Sequence, residues 1–186
     1  ALTIETRGRS ELQTLANAER KEGQLTLTAE SLYAVLYMNE IVIKLTGHDD
    51  PLPPLFVAYS NSLIKIAKGA PLEPILRDFE CRLLSAVGLG LNLNSTADHG
   101  ESIESNKHYI YVADLGAVHY PTDLVGLRVL GASIKALNNE CEWTKKTTQE
   151  AKDLMRYMID YHLGGEKVVS RQIYAFQFRS QKNNKL

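Results

Sequence analysis

The hydrophobic positions of this chain recur at the helical period of about 3.6 residues over most of its length. The first such run begins after Thr28, which is the expected N-cap, and ends at Gly47. The positions that share its helical spacing are Leu32, Val35, Leu36, Asn39 and Ile43. Because this helix is apolar nearly all round, we expect it to lie at the centre of a helical bundle.

Two further helices follow with short connections, which predicts antiparallel packing. The second runs from Leu55 to Gly69 and the third from Leu72 to Gly88. The third helix has one continuous apolar face, formed by Ile75, Leu76, Phe79, Leu83, Leu84 and Val87. These helices would form the first part of the bundle.

The helical pattern stops between residues 91 and 123. The segments His108–Val112 and Gly116–Tyr120 predict a short β-hairpin inserted into the helical protein. Helices are expected again over Leu124–Leu137 and Thr148–Leu163. The buried side of the second is expected to carry Leu154, Met155, Met158, Ile159 and His162. Ser170 is the expected cap of a last short helix.

The start of the chain alternates apolar and polar residues from Leu2 to Leu15, with a turn or bulge at Gly8. This pattern predicts a strand or hairpin. Because a single element of this kind is not stable alone, we expect it to pair with sequence upstream of Ala1.

Composition is that of a folded globular chain, with 186 residues, 44% of them hydrophobic, and a formal net charge of -1. These values exclude a disordered or collagen-like chain, and two cysteines, Cys81 and Cys141, exclude a disulfide scaffold. No stretch reaches the roughly 18 apolar residues of a membrane span. The charge is uneven, however: residues 1–140 hold 12 basic and 17 acidic residues, whereas residues 141–186 hold 9 and 5. A near-neutral total therefore does not exclude nucleic acid as a partner.

Catalytic motifs are not evident in this sequence. Gly88-Leu89-Gly90 lacks the third glycine of a dinucleotide loop, and Gly164-Gly165 ends a helix where a phosphate loop would begin one. A metal site in the inserted hairpin would draw on Asp98, His99, His108 and His119. Structural zinc prefers thiolates, and no cysteine lies between residues 82 and 140, so solvated histidines are the favoured interpretation. An enzyme with a dispersed site stays open as an alternative, with Asp98, Glu101 and Glu104 as its densest acidic group.

Candidate binding residues are easier to find. Arg77 lies beside the apolar residues Leu76, Phe79 and Leu83, an arrangement that holds a peptide carboxylate next to a buried aromatic group. Basic residues concentrate near the C-terminus, and two of them are four residues apart and so share one helix face. The basic residues of this region include Lys145, Lys146, Lys152, Arg156, Lys167, Arg171 and Arg179.

Four segments together resemble the RecO family of bacterial recombination mediators. They are Arg7–Leu15 with Ala18-Glu19, Leu36–Glu40, Leu76–Glu80 through Leu83-Leu84 to Gly90, and Tyr161–Lys167 through Ser170-Arg171. The resemblance implies a mainly α fold: a helical bundle with a small inserted zinc-finger-like β-hairpin, preceded by a remnant strand of an N-terminal OB-fold. The implied domains are residues 1–18 (last strand and exit of the OB-fold), 19–90 (first part of the helical domain), 91–123 (the insert) and 124–186 (second part of the helical domain). Many relatives hold zinc with four cysteines in the insert, so we expect a metal-free version here.

The same resemblance implies a non-enzymatic, cytoplasmic, nucleoid-associated protein of bacterial DNA repair and recombination that needs no cofactor. Such proteins bind and anneal single- and double-stranded DNA and, with RecR and possible help from RecF, promote RecA loading on strands coated by the single-stranded-DNA-binding protein (SSB). They bind the acidic C-terminal tail of SSB, and the residues implied for that contact are Arg77, Leu76, Phe79 and Leu83. The residues implied for DNA contact are Arg7, Arg9, Lys152, Arg156, Lys167 and Arg171. Asp78 and Gln13 stand where relatives can have basic residues, which weakens the expected charge at both sites. The alternative is a helical adaptor that binds only proteins.

Overall fold

The computed structural model of the chain describes residues 2–8, 13–20, 26–47 and 50–183. Its helices are α1 (Ala29–Leu45), α2 (Pro53–Ala67), α3 (Leu72–Ala86), α4 (Gly131–Leu137), α5 (Lys145–His162) and α6 (Val169–Asn183). Its strands are β1 (Leu2–Arg7), β2 (Thr14–Arg20), β3 (His108–Val112), β4 (Gly116–His119) and β5 (Leu127–Leu130). The prediction of a mainly helical protein with a small β insert is therefore confirmed.

The N-terminal segment forms a hairpin, in which β1 pairs antiparallel with β2 and the register shifts between Glu5 and Thr6. Its side chains between Thr3 and Arg7 are exposed. The two strands pair along one edge each, and their successive side chains point to opposite faces, the geometry that an alternating sequence predicts. Its assignment to an OB-fold stays a prediction.

The hydrophobic core lies among α1, α2, α3, α4, α5 and the inserted sheet. Its fully buried large side chains include Met38, Ile41, Phe79, Leu83, Leu84, Tyr109, Tyr111, Ile134, Leu154 and Met155. Most of the apolar face predicted for α3 and of the buried side predicted for α5 is buried, whereas Leu76, Val87 and His162 are only half-buried. The packing of these amphipathic faces positions the rest of the molecule.

The prediction that α1 lies at the centre of the bundle is wrong. Its buried residues are Ser31, Ala34, Tyr37, Met38 and Ile41. Of the predicted face, Leu32, Leu36 and Ile43 are 48%, 43% and 76% exposed. A helix that is apolar nearly all round does not reveal which face is buried, because its sequence shows little contrast between faces.

The insert is a three-stranded antiparallel sheet with the order β4-β3-β5, not a two-stranded hairpin. The prediction of a helix over Leu124–Leu137 is wrong for its first half, because Leu127–Leu130 pairs with β3. The helix begins only at Gly131, where a Cβ atom would lie 2.0 Å from the Glu104 carbonyl oxygen. Gly131 is therefore required by a close approach of two backbone segments.

The last two helices have well-defined N-termini. The side chain of Thr144 caps α5 by accepting a hydrogen bond from the backbone N–H of Thr147. At α6 the backbone N–H groups of Val169 and Ser170 each donate to the Glu40 carboxylate at 2.7 Å. The cap of α6 is thus Glu40 from α1, and not Ser170 as predicted. Among the helices of the described ranges, none has the length and apolar character that would carry it across a membrane.

Candidate partner-binding groove

A groove with a volume of about 1480 Å³ opens between α1, α3, α5 and α6. One wall is the N-terminal half of α1, and the other is formed by the start of α3 with its preceding turn. The segments Trp143–Arg156 and Ser170–Ala175 contribute the remaining lining. Four basic side chains and three acidic ones line it: Arg77, Lys152, Arg156 and Arg171, with Glu30, Glu73 and Glu80. The groove is thus close to neutral in formal charge.

A buried ion pair lies in this groove. Arg77 is 4% exposed and Glu80 is fully buried, and the Arg77 guanidinium donates to the Glu80 carboxylate at 2.5 Å. The hydroxyl of Tyr37 on α1 donates to the same carboxylate oxygen at 2.6 Å. The Arg77 Nε and the second Glu80 oxygen have no hydrogen-bond partner among the described residues. Both atoms are buried, so the network keeps one unpaired donor and one unpaired acceptor inside the protein.

Burial and neighbouring charge set the ionisation of this pair. Burial raises the pKa of the Glu80 carboxyl, and Arg77 opposes that rise. Burial disfavours the charged form of Arg77, but Glu80 and Glu73 outweigh it and raise the pKa of the guanidinium. Burial, assisted by the charge of Glu80, raises the pKa of the Tyr37 hydroxyl. Arg77 therefore keeps its positive charge in the groove.

The other basic side chains of the groove differ in whether they are already paired with a neighbouring residue. The Lys152 ammonium donates to Glu73 at 2.6 Å. Arg171 donates to Asp160 at 2.5 Å and to the Tyr37 hydroxyl at 3.3 Å, and its guanidinium lies 5.3 Å from the centre of the Tyr37 ring. Arg156 is exposed, and no other described residue forms an ion pair with it. Arg156 is thus the groove cation most available to an external anion.

Apolar and aromatic surface accompanies these charges. Leu72 and Leu76 are half-buried on the α3 side of the groove. Trp143, also half-buried, precedes α5. The rings of Tyr33 and Tyr174 meet edge to face with centres 6.2 Å apart, which joins α1 to α6. An apolar group can therefore be buried here within reach of a cation.

The structure brings together residues that the sequence assigned to two separate partners. Arg77 and Leu76, predicted for a peptide tail, line the same groove as Lys152, Arg156 and Arg171, predicted for DNA. Phe79 and Leu83 are fully buried in the core, so a direct contact with a peptide is not possible for them in this structure. They support α3 from behind instead.

The remaining predicted DNA residues lie outside the groove. Arg7 is exposed on β1, 3.8 Å from Glu5, and Lys167 is exposed in the turn between α5 and α6. Arg9 lies outside the described residues. Neither Arg7 nor Lys167 is among the described residues that line the groove.

Sequence reasoning missed Glu80, Tyr37 and Trp143 as parts of this site. Glu80 follows Arg77 by three residues, a spacing that places both on one side of a helix, so the pair could have been found. Tyr37 and Trp143 are 43 and 63 residues from Glu80 in sequence, and nothing local indicates that they meet it or share its groove.

The fold and groove define a class: a helical protein with a small β insert and a mixed-charge cleft that apolar and aromatic side chains also line. Residues 27–172 match the family model described as Recombination protein O C terminal. Relatives called DNA repair protein RecO include one from Methylococcus capsulatus, 37% identical over 173 residues, covering 93% of this chain and 71% of that protein. Another, from Pseudomonas aeruginosa, is 35% identical over 174 residues, covering 93% of this chain and 73% of that protein. The Azoarcus relative is 34% identical over 176 residues, with coverages of 92% and 72%. The chain belongs to the RecO family of DNA-repair proteins.

Proposed function

We propose that this chain is a non-enzymatic recombination mediator of the bacterial cytoplasm whose groove binds the acidic C-terminal tail of SSB. With RecR it would promote RecA loading on SSB-coated single-stranded DNA. The observation that carries the proposal is the convergence of the exposed Arg156 and the apolar residues Leu72 and Leu76 on one groove, which the buried Arg77 also lines. Membership of the RecO family supports the wider role.

The chemistry of the groove suits such a tail better than it suits a bare phosphate backbone. A tail that ends in an aromatic residue needs one apolar pocket and a few cations for its carboxylates. DNA binding of the sequence-tolerant kind instead relies on a surplus of unpaired Lys and Arg. Here Arg77, Lys152 and Arg171 are all partnered by carboxylates or Tyr37, which lowers the net field along the groove.

The same observation favours a second candidate, an adaptor that binds proteins and not DNA. Three of the four groove cations are already neutralised by neighbours, and residues 1–140 carry more acidic than basic groups. In that case DNA contact by Lys152, Arg156 and Arg171 would be absent, while the tail contact would remain. The two candidates therefore share the tail contact in the groove and differ in whether the protein also binds DNA.

Arg156→Ala tests the tail contact without disturbing the buried pair. A fluorescent peptide with the sequence of the SSB tail is titrated with the full chain and followed by anisotropy. We expect about tenfold weaker binding, equivalent to ~1.4 kcal/mol, because Arg156 is exposed and free to pair with a carboxylate.

Lys145→Ala is the matched control, because Lys145 is exposed at the first position of the same helix but does not line the groove. It should bind the peptide as the unmodified chain does. Equal affinity of the Arg156→Ala variant and the unmodified chain, with unchanged circular dichroism, would reject the groove as the tail site.

A further inference from the structure

The inserted sheet holds a cluster of potential metal ligands that is independent of the groove. One ligand atom from each of Asp98, His99 and His119 lies within 4.8 Å of the other two. The separations recorded within this cluster are 3.0 Å from the Asp98 carboxylate to His119 Nδ1 and 3.9 Å to His99 Nε2. Ligand atoms around a tetrahedral zinc ion, with bonds of about 2.0–2.2 Å, lie roughly 3.3–3.6 Å apart. The 3.0 Å contact is a hydrogen bond between His119 Nδ1 and the Asp98 carboxylate, and side-chain rotations would be needed to bring the three ligand atoms to coordination distances.

The backbone around these residues is fixed by hydrogen bonds. The N–H of Ala97 donates to the Ala117 carbonyl at 2.7 Å, and the N–H of Thr96 donates to Glu101 at 2.8 Å, so the loop is attached to β4. The two Asp98 oxygens accept from the backbone N–H groups of His99, at 3.0 Å, and of His119, at 2.9 Å. The carboxylate is therefore already positioned, and only side-chain rotation is needed to complete the site.

A second carboxylate provides the support that a histidine ligand commonly has. Glu101 Oε2 lies 3.4 Å from His119 Nε2, on the ring nitrogen opposite to the one that faces Asp98. A ligating imidazole usually donates its other N–H to a carboxylate, which fixes the tautomer and the ring orientation. Glu101 is placed for that role.

We propose that Asp98, His99 and His119 form a binding site for a divalent transition-metal ion of the zinc class, with Glu101 orienting the His119 ring. Two imidazole nitrogens and a carboxylate oxygen are a donor set that zinc accepts. The three side chains are 28%, 65% and 29% exposed, so the remaining coordination position is open to water or to a ligand from another molecule. The bound ion would join the loop around residue 98 to the end of β4 and stabilise the insert.

This inference departs from the expectation of a metal-free insert. That expectation rested on the absence of cysteine between residues 82 and 140, and it treated the histidines of the insert as solvated side chains. His108, the fourth residue named with this group from the sequence, is on β3 and is not part of the cluster.

The test is calorimetric titration of the full chain, prepared without a polyhistidine tag, with Zn²⁺. We expect one ion bound per chain and a higher melting temperature in the presence of the metal. Co²⁺ substitution should give the visible absorption bands of a low-coordinate site. His99→Ala removes a ligand and should weaken Zn²⁺ binding by at least tenfold and abolish the rise in melting temperature. Glu101→Gln should also weaken Zn²⁺ binding by about 10-fold or more, because Glu101 orients the His119 ring.

His99→Ala suits this test because the His99 side chain is largely exposed and its removal leaves the backbone hydrogen bonds of the loop in place. His108→Ala is the matched control within the same sheet and should bind Zn²⁺ as the unmodified chain does. The proposal is overturned if the unmodified chain shows no saturable binding of one ion, if His99→Ala binds equally well, or if His108→Ala causes the same loss.

Discussion

At the scale of single residues, the buried Arg77–Glu80 pair decides how the groove can be tested. Removing one member of a buried ion pair leaves the other charge without compensation. We expect Arg77→Met to lower the free energy of unfolding by about 3–5 kcal/mol, whereas the double variant Arg77→Met/Glu80→Met should recover most of that loss. Urea unfolding of both variants at neutral pH measures the difference. Equal stability of the single and double variants would contradict the pairing.

The pH dependence of the single variant follows from the raised pKa of Glu80. A carboxyl whose pKa is higher in the folded than in the unfolded state favours folding at low pH, and the benefit is lost as pH rises through the folded pKa. Without Arg77, the burial that raises this pKa is unopposed. The destabilisation by Arg77→Met should therefore be smaller in acid than at neutral pH.

This pair also shows where sequence reasoning was limited. An arginine among Leu76, Phe79 and Leu83 is equally compatible with an exposed rim and with a buried ion pair. In the structure the hydroxyl of Tyr37, on another helix, donates to the carboxylate that pairs with Arg77. A tertiary partner of this kind leaves no local pattern in the sequence.

At the scale of elements, one side chain of α1 caps the N-terminus of α6. The Glu40 carboxylate accepts from the first two N–H groups of α6, where the helix dipole also favours a negative charge. We expect Glu40→Ala to lower the free energy of unfolding by about 1–2 kcal/mol. Burial opposes its charge, but the bonds to Ser170 and Val169 and the charge of Lys44 lower the pKa of Glu40 below its ordinary value of 4.5. The stabilisation is therefore present above that ordinary value and is lost as pH falls through the folded pKa.

Urea unfolding of the Glu40→Ala variant at neutral and acidic pH tests both statements. The loss of unfolding free energy in the variant should be largest at neutral pH. It should shrink in acid, as Glu40 of the unmodified chain becomes protonated. Glu142→Ala, at an exposed position just before α5, is the control and should be neutral at either pH. A constant deficit across this pH range would show that the charge of Glu40 does not stabilise α6.

Elements with a strong helical period were predictable, and those defined by close backbone contact were not. Thr28 caps α1 and the predicted starts of α1 and α3 agree with the structure, because caps and apolar spacing are local signals. Strand β5 has only four residues, and it is recognisable as a strand only through its pairing with β3. Gly126 and Gly131 flank it, and a Cβ atom at either would lie within 2.5 Å of another segment's backbone oxygen.

At the scale of the whole molecule, the groove is assembled from segments that are distant in sequence. Residues 28–37, 69–80, 143–156 and 170–175 all contribute to it. The sequence identified several individual residues of the site but divided them between two partners, because it contains no information on which segments become neighbours. The structure places part of each predicted residue set in one groove, and this makes a competition between the two ligands testable.

Salt dependence separates a DNA-binding mediator from a protein-only adaptor. For single-stranded DNA, the logarithm of the binding constant falls with the logarithm of salt concentration by about 0.7 for each phosphate neutralised. If Lys152 and Arg156 contact DNA from the groove, Lys152→Glu/Arg156→Glu should reduce that slope by about 1–1.5, and a saturating SSB tail peptide should displace the DNA. Lys145→Glu/Lys146→Glu reverses two charges on the same helix outside the groove lining and should leave the competition by the peptide intact.

DNA binding with an unchanged slope and no displacement would locate the DNA contact elsewhere, with Arg7 and Lys167 as the next residues to vary. No salt-dependent binding by the unmodified chain would favour the adaptor, because the paired carboxylates of Glu73 and Asp160 would then have neutralised the groove cations before any phosphate could.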